Sequence, residues 1–518
     1  MKYLQLLKLL KGLSSYQLMG NSAKDITAIA NHTGNIVPGS LFICVPGLKV
    51  DGHDYASQAI DKGAAALVVE RDIDVDCTKI LVRDARQAQA LLSHAFHGYP
   101  SREVEVIGVT GTNGKTTTTF FIESILNQFG QNAGRIGTIN CRYGNLIFPS
   151  KHTTPDSINL NKLLSEMVKS GTKAVVMEVS SHGLAQNRVI ACDFDVGIIS
   201  NVTHDHFDFH RNYQSYLESK ALLFEYLGRD REAKSRLKFA VANADDASYD
   251  FIVSKAAVPV LSYSIYGPSD IRASNIELKS NGSSFEIKVG GKKYKFFLKL
   301  PGLFNIYNAL SAIAYAWGRN YQFEGVQSAL AEVQRVPGRC QRVDEGQDFE
   351  VIVDFAHNPD GLKNILTFAP KIPETKRIIV FGCEGGKDKT KRQIMGYIAG
   401  MLADFTIVTM DNLYSEEPLE VVQQIEKGLL EAGRREGLDY IIILDRAEAI
   451  KEAIAMADSG DQVIIAGKGH ETTQTIYKQV KPLCDWEIAA GAIQMKLRNS
   501  LKNSKIYYLA SLQLQQDC

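Results

Sequence analysis

Gly108-Val109-Thr110-Gly111-Thr112-Asn113-Gly114-Lys115-Thr116-Thr117-Thr118-Thr119 is the stretch on which the fold turns. The alternating run 104–107 before it predicts a strand, and the run 120–126 after it predicts a helix. Strand, glycine-rich turn, Gly-Lys-Thr and helix together make a cradle for nucleotide phosphates. Its glycines let backbone N–H groups approach phosphate oxygens. Lys115 is then placed to reach the β- and γ-phosphates, and the Thr116 hydroxyl to bind Mg²⁺. Residues Gly111, Thr112, Asn113, Gly114, Lys115, Thr116 and Thr117 are therefore the expected ATP-binding turn. One detail departs from the common phosphate-loop pattern, which wants Gly at 109 and leaves 111 open: here Val109 and Gly111 are reversed.

Working outward, 518 residues are too many for one core and predict about three domains. The boundaries expected are 1–100, a small α/β unit; 101–335, the phosphate-loop block; 336–498, where the pattern restarts; and a tail at 499–518. With 58 basic and 58 acidic residues the formal charge is zero, which argues against bulk nucleic-acid binding. No uncharged apolar run approaches the ~20 residues of a membrane span. The first eleven residues, with lysines inside an apolar run, read as an amphipathic helix and not as a signal peptide. Eight scattered cysteines without a Cys-x-x-Cys pair fit a reducing cytoplasm better than a zinc site or a disulfide framework. We expect a cytoplasmic monomer with no membrane partner.

Apolar runs at 40–47, 63–70, 174–180 and 196–201 read as strands, with helical stretches between them. Strands alternating with helices imply an α/β protein of mostly parallel sheets covered on both faces. The third block offers strands at 351–355, 377–382, 405–411, 440–445 and 462–467, each ending in polar or glycine residues, a Rossmann-like arrangement. Ligands of such sheets bind beyond the carboxyl ends of the strands, which places a crevice there.

Three segments carry chemistry. Glu178 ends a buried strand in Met-Glu-Val-Ser-Ser-His-Gly, where a carboxylate can hold the nucleotide's Mg²⁺ or form an ordinary salt bridge. His204-Asp205-His206-Phe207-Asp208-Phe209-His210 is dense in metal-ligating types, yet no second Cys or His cluster supports zinc. Lys220, on a helical stretch beside apolar residues, reads by itself as a snorkelling lysine.

The form Thr-Gly-Thr-Asn-Gly-Lys-Thr resembles that of the Mur ligases, ATP-dependent amide-forming enzymes. Met177 to Leu184 resembles one branch, which adds the third amino acid of the peptidoglycan stem to UDP-N-acetylmuramoyl-L-alanyl-D-glutamate. The resemblance implies a central ATPase domain, ATP and Mg²⁺ as cofactors, and a function in cell-wall biogenesis. It makes Lys115, Glu178, His206 and Lys220 catalytic, with Thr116, Glu178, His206 and a carbamylated Lys220 as metal ligands. It places Asn305, Asn308, Arg339, Asp354 and His357 around ATP. Thr153, Thr154, Ser181, Gln186 and Arg188 would grip the UDP-muramoyl-peptide, together with Asn31 in Ala30-Asn31-His32, where the family carries Asp-Ser-Arg. For the acceptor it implies Arg392, Asp411, Asn412, Gly467, Glu471 and the residue at 414.

That last position departs from the family. Enzymes that take meso-diaminopimelate carry Asp-Asn-Pro-Arg, whose arginine pairs with the distal carboxylate. This chain has Asp411-Asn412-Leu413-Tyr414, and a tyrosine cannot form that ion pair. With Arg392 for the α-carboxylate and Asp411 and Glu471 for a side-chain ammonium, the motif leans towards L-lysine over meso-2,6-diaminopimelate as the amino acid added. A different Mur step, a folylpolyglutamate synthetase and a non-catalytic nucleotide-binding module are the other readings. The intact Lys115, Glu178 and His206 argue against the last of these.

Overall fold

A computed structural model of the chain describes residues 4–47, 50–229, 236–279, 281–368 and 374–499. The tail expected at 499–518 lies outside them from residue 500 onward. The phosphate-loop stretch folds as the strand Glu105–Thr110, a turn, and the helix Lys115–Gln128. Every residue of that strand is buried, so both of its faces are covered, and Glu105 at its start pairs with Arg319 at 2.7 Å. Ile107 and Val109 pack with Phe121, Ile125 and the helix Leu303–Gly318. Val106 on the other face packs with Leu223 and Phe224 of the helix Tyr213–Leu227.

The strand lies inside an 11-stranded sheet. Ala174–Glu178 and Val196–Ile199 flank it in parallel, which brings Glu178 opposite Val109 beside the phosphate loop. The centre of the sheet is parallel, as expected. Its edges are not: a hairpin of Asn140–Tyr143 and Leu146–Pro149 closes one side, and an antiparallel meander of Ile271–Lys279, Gly282–Val289 and Lys292–Leu298 the other.

The first block is a five-stranded sheet containing Ser40–Ile43 and Ala64–Val69. Its amino-terminal run forms a strand, Leu4–Gln5, and a helix, Leu6–Leu10, that buries Leu6, Leu9 and Leu10. The third block is a six-stranded sheet whose inner order is Glu350–Asp354, Gln462–Ala466, Arg377–Phe381, Phe405–Val408 and Tyr440–Ile442, all parallel. Among the described residues, no helix is long and apolar enough to cross a membrane.

Side chains tie the blocks together. Asn31 donates to Gln89 (3.0 Å), which donates to Ser157 (2.9 Å), joining the first sheet to the second. Asn358, the N-cap of the helix Pro359–Leu366, donates to Asp205 (3.0 Å) and Asn113 (3.1 Å), joining the third block to the phosphate loop. The carboxyl ends of the third sheet therefore face the phosphate loop across a narrow cleft.

Candidate active site

The phosphate loop is built on two left-handed glycines, Gly111 at φ 138° and Gly114 at φ 89°. A Cβ at Gly111 would fall 1.9 Å from the Ser200 Oγ, so no larger residue fits there. Lys115 Nζ donates to the Gly111 and Thr112 carbonyls (2.9 and 2.8 Å) and holds the turn closed. Gly114 offers no side-chain cap, so the first N–H groups of the helix remain available to an anion. The Asn113 side chain donates to Asp360 (2.8 Å), and the Thr112 hydroxyl lies 3.1 Å from that of Tyr216.

Thr116, Glu178 and His206 line one cavity of about 180 Å³. The fully buried Glu178 accepts from Thr116 Oγ1 (2.9 Å), Thr138 Oγ1 (2.9 Å) and Thr138 N (2.8 Å). Burial pushes the His206 imidazolium down to about 2, so the ring is neutral and keeps a lone pair. The Thr116 hydroxyl and the Glu178 carboxylate are oxygen donors of the kind Mg²⁺ takes, with the His206 imidazole a softer neighbour, and among the described residues no three His, Cys, Asp or Glu side chains converge on one metal position. Lys220 corrects its bare reading: it does not snorkel. It is 1 % exposed, and its Nζ donates to the Gly111 carbonyl (2.7 Å) beneath the loop. Burial, reinforced by the Lys115 charge, holds its pKa well below the ordinary lysine value, which favours the uncharged amine.

A second cavity of about 390 Å³ adjoins the loop between the second and third blocks. Thr117, Asn308, Arg339 and Asp354 line it, with Phe304, Tyr307, Phe355 and Phe368 supplying aromatic walls of the kind a nucleobase packs against. Asn305 lies behind Asn308, whose amide donates to it (3.2 Å). Arg339 Nη2 reaches the Thr116 hydroxyl (3.2 Å), while its Nε is buried without a partner. His357 Nε2 stands 3.5 Å from Asp205.

The expected grip on the UDP-muramoyl-peptide clusters beside Glu178. Thr154 donates to the Glu178 carbonyl (2.9 Å), Arg188 to the Thr154 carbonyl (2.7 Å) and to the Gln186 side chain (2.8 Å), and Thr138 to Thr153 (3.1 Å). Ser181 opens the short helix Ser181–Ala185 and is buried. Asn31 sits apart, at the join between the first and second sheets.

On the acceptor side Asp411, Gly467 and Glu471 line the 180 Å³ cavity. Lys468 Nζ donates to Glu471 (2.6 Å) and Asn412 (3.2 Å) and lies 3.9 Å from Asp411. Arg392 is corrected by the geometry. It is fully buried, and its guanidinium donates to Glu416 (2.8 Å), Gln424 (3.0 Å) and the Glu384 carbonyl (2.9 Å), so it pins the loop instead of facing an acceptor carboxylate. Tyr414 donates to Glu384 (3.3 Å). Sequence reasoning passed over Thr138, Asp205 and Glu384, which line the same cavity. Asp205 stood in the quoted His-Asp string, whereas Thr138 and Glu384 had no signal beyond lying after a strand.

Three family models match the chain: the Mur ligase family catalytic domain over residues 25–97, the Mur ligase middle domain over 109–316, and the Mur ligase glutamate ligase domain over 338–469. The UDP-N-acetylmuramoyl-L-alanyl-D-glutamate–2,6-diaminopimelate ligase of Geobacillus thermodenitrificans is 41% identical over 491 residues, covering 95% of this chain and 99% of the relative. The protein of that name from Bacillus licheniformis is 42% identical over 493 residues, with the same shares covered. A solved structure of such a ligase superposes with a TM-score of 0.66 at 27% identity, covering 94% of this chain and 99% of that one. A MurF ligase from Thermotoga maritima in complex with ADP shares the fold, with a TM-score of 0.61 at 18% identity over 91% of this chain and 98% of that one. The names of these relatives speak for the diaminopimelate alternative and against the lean to L-lysine. The lean combined Tyr414 with Asp411, Glu471 and an Arg392 that the geometry commits to Glu416, Gln424 and the Glu384 carbonyl. The phosphate loop, the carboxylate beside it and a three-block match along the chain place this protein in the Mur ligase family, as an ATP-dependent ligase of peptidoglycan synthesis that forms a C–N bond.

Proposed function

We propose that the protein adds meso-2,6-diaminopimelate to UDP-N-acetylmuramoyl-L-alanyl-D-glutamate, with ATP and Mg²⁺, across domains bounded near residues 100 and 335. The observation that carries this reading is the 180 Å³ cavity itself. One wall holds Lys115, Thr116, Glu178 and His206, and the other Asp411, Gly467 and Glu471, so phosphate chemistry and an acceptor amine meet in one space.

The substrate carboxylate attacks the γ-phosphorus of ATP, giving an acyl phosphate and ADP. Like charges approach in that step, and Lys115, Arg339 and the helix N-terminus offset them. The neutral amine of the acceptor then attacks the acyl carbon. Inorganic phosphate leaves, a proton is lost, and an amide remains. Thr116, Glu178 and His206 would hold Mg²⁺, which when bound supplies further positive charge against the phosphates. We assign a fourth ligand to Lys220 as N6-carboxylysine: its uncharged amine adds CO₂, forming a C–N bond and releasing one proton. Thr153, Thr154, Ser181, Gln186, Arg188 and Asn31 receive the UDP-muramoyl-peptide. Asn305, Asn308, Asp354 and His357 surround ATP, and the third block closes over it through Asn358 and Asp205 to keep water from the acyl phosphate.

Offering meso-diaminopimelate, L-lysine and L-ornithine at equal concentration, with ATP and the UDP-muramoyl-dipeptide, tests the reading. Mass spectrometry of the products is expected to show diaminopimelate ahead by about tenfold or more, equivalent to about 1.4 kcal/mol. A product dominated by lysine would refute the assignment.

A further inference from the structure

Glu384 is a carboxylate to which the chemistry above gives no task. It follows the strand Arg377–Phe381 and lines the reaction cavity together with Asp411, Gly467 and Glu471. Among the described residues no lysine, arginine or histidine pairs with it, and its side chain takes one hydrogen bond, from the Tyr414 phenol at 3.3 Å.

The backbone around it is built to keep it there. Arg392 holds the Glu384 carbonyl at 2.9 Å, and Gly385 N donates to the Asn412 carbonyl at 2.8 Å. A Cβ on Gly385 would lie 2.0 Å from the Leu413 carbonyl oxygen, so glycine alone lets this loop press against 412–414. Tyr414 stands in the left-handed region at φ 52°, a conformation that costs a bulky residue energy and aims its ring at Glu384.

Glu384, Asp411 and Glu471 are the third-block carboxylates lining the cavity; Lys468 lies 2.6 Å from Glu471 and 3.9 Å from Asp411, and the cations that line the cavity itself, Lys115 and Arg339, stand on the phosphate side. Burial, together with the neighbouring Asp411 charge, raises the Glu384 carboxyl pKa against the opposing charges of His357, Lys387 and Lys391, a cost that a closer cation from the substrate would remove. The reacting amine of the acceptor must be neutral to attack, so it brings no positive charge of its own.

Resting on the reading that a diamino acid enters this cavity, we propose that Glu384 is the specificity-determining residue that receives the second, non-reacting ammonium of the acceptor. The Tyr414 hydroxyl orients its carboxylate and offers a neutral donor where an arginine would bring a charge. The requirement built into this wall is thus for a distal amine.

The test pairs removal of the substrate group with removal of the residue's charge. Wild type, Glu384→Gln and Tyr414→Phe are assayed with meso-diaminopimelate and with L-2-aminopimelate, which lacks only the distal amine. Wild type is expected to favour diaminopimelate in kcat/KM by about tenfold or more, the worth of one charge-assisted contact. Glu384→Gln should erase that preference while leaving turnover of 2-aminopimelate and the KM for ATP nearly unchanged. Tyr414→Phe, which keeps the carboxylate, should retain most of the preference. Equal losses on both acceptors in Glu384→Gln, or the same preference in Glu384→Gln as in wild type, would overturn the proposal. A wild type that turns over neither acceptor would overturn the underlying diaminopimelate reading first, and the role of Glu384 with it.

Discussion

Lys115→Ala is expected to lower kcat by about a hundredfold or more, the usual size of losing a charge placed for the transition state. The lysine acts twice: its Nζ closes the loop on the Gly111 and Thr112 carbonyls, and it carries positive charge to the phosphates. Burial holds its pKa below the ordinary lysine value against the pull of the Glu178 carboxylate, so an arriving polyphosphate favours the charged form. Lys115→Met, which keeps the stem and loses the ammonium, separates lost packing from the lost ammonium group. If both variants fold, by circular dichroism, and both lose ligation, the ammonium carries the effect. Activity above about a tenth of wild type in either variant would refute the assignment of Lys115 to the phosphates.

What the sequence disclosed and what it hid divide along a physical line. Strand Glu105–Thr110 and the four inner strands of the third block were legible because a strand buried on both faces is mostly apolar. The antiparallel meander at 271–298 was not, since its exposed edge strands interleave polar residues such as Asn275, Glu277 and Lys295 that read as loop. It extends the mostly parallel sheet that was expected with an antiparallel edge, giving 11 strands.

The site follows the same rule. Glu178 was legible as a carboxylate ending an apolar run, but its contact with Thr116 depends on the register that sets Glu178 opposite Val109. Arg392 misled because the partners that capture it, Glu416 and Gln424, lie 24 and 32 residues away. Glu384 left no mark in the sequence, because its meaning comes from two loops brought together by Gly385. For Lys220 a signal was present and underweighted: Tyr216 and Phe224, four residues to either side, share its helix face, and both are buried.

Lys220→Ala is expected to fall by about a hundredfold or more in kcat and to recover part of the loss in formate or acetate. The reasoning starts from burial: an ammonium enclosed beside Lys115, with the Gly111 carbonyl as its hydrogen-bond acceptor, is a costly species. The neutral amine is the form that adds CO₂, and the carbamate so formed is an oxygen anion of the kind Mg²⁺ takes. Alanine leaves a space that a small carboxylate can enter, replacing the oxygen ligand though not its tether. Rescue by added carboxylate distinguishes a ligand from a lysine that merely packs, because a packing defect does not respond to formate. Wild type assayed in CO₂-depleted buffer should lose activity reversibly, and restored bicarbonate should return it. A fully active alanine variant, or a loss that no carboxylate reverses in a folded protein, would leave Lys220 as a structural support for the phosphate loop.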